Sequence, residues 1–147
     1  MSNYLLIKQG TIHNAVDEEA FVADILIEDG KIKKIAPVLE GKVINEAAVI
    51  DAMGIDVYPG FVDAHCHLGL DGYAVGFAGQ DFNELGDPVT PQLSAIDAIN
   101  PQDETFQMAR EGGVTCVCTG PGSSNVIGGT FCAIKTYGKR VDDMLVK

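Results

Sequence analysis

The stretch Pro59–Leu70, PGFVDAHCHLGL, constrains the fold of this chain more than any other. It is almost continuously apolar and carries polar side chains only at Asp63, His65 and His67. Such a run suits a strand buried on both faces, as in a parallel sheet covered by helices. On that strand His65 and His67, two residues apart, project from one face and Asp63 shares it, while Val62, Ala64 and Cys66 take the other, against covering helices.

Together with the residues after it, this strand predicts one βαβ unit over residues 60–119. Residues 69–100 are rich in Gly, Asp, Asn and Pro and read as a long loop with a short helical piece; loops this long in a compact domain are usually functional. In NPQDETFQMAREGGVT, Asn100 is placed as an N-cap, Pro101 as the first helical residue and Gly112-Gly113 as the stop. VTCVCTG then reads as a second buried strand, and FCAIKTYG as another short apolar run. Cys116 and Cys118 share one strand face and read as small buried apolar residues. With Cys66 and Cys132 they complete the four cysteines, and none forms a C-x-x-C pair.

Ahead of Pro59 the texture is different. NYLLIKQGTIHN gives two apolar runs interrupted by Gly10, and KVINEAAVIDAMG and IDVYPG give two further strand-like runs. FVADILIEDGKIKKIAPV is a hairpin turning at Asp29-Gly30, where both central residues need positive φ. About five short strands in this span suggest part of a sandwich or open barrel. The fold class is therefore mixed β and α/β, with residues 1–58 as a β domain and residues 59–147 as the α/β part.

Composition narrows the function. The formal net charge is -11, which argues against binding a nucleic-acid backbone. No apolar run reaches the roughly 20 residues that span a bilayer, and MSNYLLIKQG lacks the features of a signal peptide. The expectation is a cytoplasmic protein with no nucleic-acid or membrane partner. The glycine-rich GPGSSNVIGGT fails the phosphate-loop pattern, because no Lys-Ser/Thr pair follows Gly129.

Two imidazoles side by side at the C-terminal end of a strand can reach one divalent cation, for which Zn²⁺ is well suited. The bland reading is two structural histidines, one bonded to a backbone carbonyl and one solvated. The surrounding pattern favours the metal. PGFVDAHCHLG resembles the first barrel strand of the amidohydrolase superfamily, marked by P-G-x-x-D-x-H-x-H. The β-rich segment before it resembles that family's small composite β-sandwich domain. INPQDETFQMAREGGVTCVCTGPGSSNVIGGTFCAIKTYG is similar to the imidazolonepropionase-related branch.

The resemblance implies a small β-sandwich domain, here its N-terminal portion (1–58), followed by the first strands of an incomplete (β/α)8 barrel (59–147). It implies metal ligands at His65 and His67, a supporting role behind them for Asp63, and hydrolysis of C–N bonds in small amides or cyclic amides. In that family the metal activates water and polarises the carbonyl, and an aspartate of the last strand takes the proton. Lys135 is the candidate for a bridging lysine. The family's two later histidines are absent, since none follows His67. A whole barrel takes roughly 250 residues, so the chain is expected to be an N-terminal part of a longer enzyme. It is expected to be inactive alone and to self-associate through open strand edges. The alternative is a non-catalytic structural or oligomerisation module without metal. Dihydroorotase- and hydantoinase-like members often carry an arginine two residues after the second histidine. Leu68 and Gly69 stand here instead, which argues against those branches.

Overall fold

The computed structural model describes residues 3–73 and 75–146. The parts of the sequence-based expectations that fall on Met1, Ser2, Ala74 and Lys147 lie outside the described residues. The chain divides into two compact units, residues 1–59 and 60–147. No helix among the described residues is long and apolar enough to cross a membrane.

The first unit holds β1 (Tyr4–Ile12), β2 (Phe21–Glu28), β3 (Lys31–Ala36), β4 (Ala48–Asp51) and β5 (Asp56–Val57). They form one sheet in the order β3-β2-β1-β4, with β5 also against β1. β2 is antiparallel to β1 and β3, whereas β4 and β5 run parallel to β1. The β2–β3 hairpin turns on Asp29 (φ 49°) and Gly30 (φ 77°), both left-handed as the Asp-Gly pair predicts. Neighbouring residues of a strand face opposite ways. Leu26 accordingly packs with Leu6 and Leu39, while Ile25 packs with Ile12 and Ala23.

Two strand expectations need correction. Gly10 does not interrupt the first run: β1 is continuous, and its irregularity is a bulge between Ile7 and Gly10, with Gln9 at φ 56°. Lys42–Asn45 forms a helical turn, α1, and the strand begins only at Ala48. The turn brings Ile44 onto the Leu6–Leu26–Leu39 cluster, a burial that outweighs the strand preference of Val43 and Ile44.

The bulge is held by Asp24, which is fully buried. Its Oδ1 accepts from the Gln9 backbone N–H and the Gln9 side chain, both at 2.9 Å, and its Oδ2 accepts from Leu39 N–H at 2.9 Å. Burial alone would push this carboxyl up. The bonds from the Gln9 side chain, Leu39 and the Gln9 backbone, together with the charge of Lys8, hold it below the ordinary carboxylate range.

The second unit holds β6 (Phe61–Cys66), α2 (Thr105–Glu111), β7 (Val114–Thr119), β8 (Cys132–Lys135) and α3 (Val141–Met144), with 3-10 turns at Gly76–Gly79 and Ala95–Asp97. β6 and β7 are parallel and α2 lies between them in sequence, as the βαβ expectation requires. β8 pairs antiparallel to β7, so the sheet is an open β6-β7-β8 ribbon and no closed barrel forms among the described residues. The core gathers Leu70, Ile99, Phe106, Val117, Ile134 and Met144.

Three expectations are corrected in this unit. β6 is not buried on both faces: it is an edge strand, and Phe61 and Val62 are 58% and 69% exposed. The helix starts at Thr105, not Pro101. Asn100 and Asp103 accept from the amides of Gln102 and Thr105, and such side-chain turns compete with helix initiation. On β7 the buried side chains are Val117 and Thr119, while Cys116 and Cys118 are half-buried on the other face.

The long loop is ordered by pairing with the glycine-rich segment after β7. Thr90 N–H donates to the Ile127 carbonyl at 2.8 Å, and Ala95 N–H to that of Thr130 at 3.0 Å. The two segments form one wall beside the C-terminal ends of β6 and β7.

Candidate metal centre

The histidine pair sits where β6 ends. His65 is in the strand, and His67 lies one residue beyond it. The chain then reverses: Leu70 N–H donates to the His67 carbonyl at 3.1 Å, and Gly69, third residue of this turn, has φ +82°. A type II turn demands that geometry of its third residue, which favours glycine. A Cβ on Gly69 would also lie 2.7 Å from the Phe106 ring.

The end of β7 is bonded to this segment at three points. Gly120 N–H donates to the Cys66 carbonyl at 3.2 Å. The Thr119 hydroxyl donates to the Leu68 carbonyl at 2.9 Å. His67 Nδ1 lies 2.6 Å from the Gly120 carbonyl oxygen. A carbonyl only accepts, so Nδ1 carries the hydrogen, and the neutral ring has its lone pair on Nε2. A metal-bound histidine is characteristically fixed in this way, its second nitrogen donating to a backbone carbonyl.

The rings of His65 and His67 are 5.5 Å apart, edge to face. Phe82 stacks on His67 at 5.3 Å and 18°, and Phe131 lies 5.0 Å from His65. Asp63 Oδ1 accepts from the His65 backbone N–H at 3.1 Å. Asp63 thus bonds the backbone of a candidate ligand. Burial pushes the Cys66 thiol above its ordinary value.

Lys135 is not brought to this place. It pairs with Cys116, whereas the histidine end of β7 is level with the Thr119–Cys132 pair. Three residues along a strand are about 10 Å. Because β8 runs antiparallel, its later residues move away from the histidines. The residues that sequence reasoning missed are Phe82, Thr119, Gly120 and Phe131. Gly120 was findable, since it follows the strand predicted to lie beside β6; the two phenylalanines come from loops without a local signal.

The donor set suits a borderline ion such as Zn²⁺: two imidazoles, one with its tautomer fixed. It is also partial, since no three histidine, cysteine or acidic side chains among the described residues converge on one point.

Comparison with known proteins gives the same direction. No protein-family model matches the chain. It is 36% identical over 116 residues to the amidohydrolase tasK of Hapsidospora irregularis, covering 78% of this chain and 12% of that protein. It is 44% identical over 69 residues to a dihydroorotase of Caldicellulosiruptor saccharolyticus, covering 47% of this chain and 16% of that one. The missing arginine therefore does not set the chain apart from dihydroorotases. Its fold superposes on the crystal structure of an amidohydrolase from Thermotoga maritima MSB8 with a TM-score of 0.89 and 39% identity, covering 97% of this chain and 36% of that one. The chain spans well under half the length of each of these relatives. Sequence and fold together make the chain a homologue of the amidohydrolase superfamily that corresponds to a part of its longer relatives.

Proposed function

We propose that this chain supplies the N-terminal, histidine-bearing part of a metal-dependent hydrolase of C–N bonds. His65 and His67 are its share of the ligands to a divalent metal, Zn²⁺ by the chemistry of the donors. Asp63 steadies the His65 backbone. The first unit is its share of a composite β-sandwich, and the second the opening strands of a (β/α)8 barrel. The observation that carries this reading is the Nδ1–H bond from His67 to Gly120, 2.6 Å long, which leaves Nε2 as a lone-pair donor beside His65.

The substrate class is a small amide or cyclic amide, by analogy with the relatives, and the branch is the imidazolonepropionase-related one by its C-terminal motif. A metal held at the pair supplies Lewis acidity toward a carbonyl and toward water. The chain's own residues do the rest of what is visible: they fix the His67 tautomer, bracket both rings with Phe82 and Phe131, and close the turn behind them through Gly69. Two imidazoles give neither the third ligand nor the general base that hydrolysis needs, so turnover by this chain alone is not expected. We place the protein in the cytoplasm, without a nucleic-acid or membrane partner. Exposed Phe61 and Val62 on edge strand β6 favour self-association, and they are also the observation that supports a structural, metal-free module as the second reading.

Calorimetric titration with Zn²⁺ tests the choice. The metal reading expects one ion per chain, with affinity at least tenfold lower in His67→Ala. Equal affinity in wild type, His65→Ala and His67→Ala would overturn it.

A further inference from the structure

A cavity of about 280 Å³ is lined by residues of the long loop and of the segment after β7. Phe82, the ring stacked on His67, is one of its walls, and Gly128 and Gly129 also line it. The remaining polar lining is acidic or neutral: Asp81, Glu84 and Asp97 contribute to it, and no lysine, arginine or histidine does.

The charges here are unbalanced. Between Lys42 and Lys135 the sequence has a single Lys or Arg, Arg110, and that one is engaged by the Thr136 carbonyl and the Tyr137 ring. The ion pairs among the described residues are His13–Asp56, Lys33–Glu28 and Arg140–Asp142. Asp81 and Asp97 are in none of them. Carboxylates facing one concave site without a counter-charge attract a cation.

A second observation is independent of the acids. Thr90 lines the cavity and is 4% exposed. Its amide is bonded to Ile127, whereas its hydroxyl has no hydrogen-bond partner among the described residues. No buried side-chain oxygen there is sealed off without one, so this hydroxyl keeps an accessible surface, and Thr90 is one of the residues that line the cavity. A nearly buried hydroxyl without a protein partner is suited to a ligand's hydrogen-bonding group.

We propose that the cavity binds the cationic, N–H-bearing end of the substrate, a primary ammonium or a guanidinium, while the amide lies toward His67. This rests on the hydrolase reading and deepens it. Asp81 and Asp97 supply the charge, the Thr90 hydroxyl accepts one N–H, and Phe82 offers a ring face to the cation or its methylene stem.

The test is a titration of the ¹⁵N-labelled full chain, followed at the amides of Thr90, Gly128 and Gly129. Three probes share one length: N-acetylputrescine (a cation), N-pentylacetamide (neutral) and N-acetyl-4-aminobutyrate (an anion). The cation should shift these amides saturably, with affinity about tenfold above that of the neutral probe, and the anion should not bind. Asp97→Asn should remove most of the preference, and Thr90→Val should weaken the cation alone. Equal binding of cation and neutral probe, no saturable shift, or the same shifts produced by Mg²⁺ and not by the cation would each overturn the proposal. His67→Ala separates the two readings: it should abolish Zn²⁺ uptake and leave the cation shifts in place. Cation binding without Zn²⁺ uptake in wild type would refute the hydrolase reading while sparing the cavity.

Discussion

His67 donates from Nδ1 to the carbonyl of Gly120, 2.6 Å away across the β6–β7 pair and 53 residues on in the chain. The bond makes the ring's tautomer a property of the parallel strand pairing. Long-range ¹H–¹⁵N correlation at neutral pH should show His67 protonated at Nδ1 with a bare Nε2. The opposite tautomer, or rapid averaging between the two, would break the link between this bond and a metal ligand.

Gly69→Ala should destabilise the second unit by about 1–3 kcal/mol, the range expected of overpacking. Two costs combine: φ of +82°, and a Cβ 2.7 Å from the Phe106 ring. Urea denaturation measures it. A loss below about 0.5 kcal/mol would mean that Phe106 moves aside without cost and that the turn does not rely on glycine.

Asp24 should make the first unit acid-sensitive. Its carboxyl is held below the ordinary value of 3.8, so the folded state favours the ionised form. That stabilisation is complete above the ordinary value and is lost as pH falls from about 4 through the lower folded value. Asp24→Asn should flatten this part of the stability curve. Asp24→Ala should cost about 1–3 kcal/mol for each donor left unpaired. Denaturation midpoints between pH 2 and pH 6 decide it; identical acid limbs in wild type and Asp24→Asn would refute it.

Val62→Lys should reduce self-association and leave stability within about 0.5 kcal/mol, as is usual for an exposed site. Val62 is 69% exposed on the edge strand. Sedimentation velocity at micromolar concentration reads the first effect and urea denaturation the second. A wild-type monomer with unchanged sedimentation in the variant would exclude this edge as an interface.

Much of this was legible locally. Asp29-Gly30 names its own turn, because few residue pairs tolerate two positive φ angles. The strand at Phe61 and its βαβ partner at Val114 follow from apolar runs and the glycines between them. The legible part stops where non-local packing begins. Lys42–Asn45 has strand-like residues and a helical backbone, since its partner is the leucine cluster beneath it. Phe61 and Val62 read as buried because their composition records a cover that this sheet does not supply. Of the site, the two histidines and the neighbouring strand could be read. Their flanking rings, Phe82 and Phe131, could not, because loop pairing delivers them. Lys135 pairs with Cys116, away from the histidine end of β7, because β8 runs antiparallel to β7, a direction that spacing alone does not give.

The 53-residue separation of His67 from Gly120 also has a kinetic meaning. Closing a loop of that size must precede the bond, and parallel pairing over such a distance is slow relative to local turns. Early in folding both imidazoles are therefore unconstrained, free to take up metal in any geometry. Zinc present during refolding should then capture off-pathway chains, and refolding yield should be higher when the ion is added after the sheet has formed.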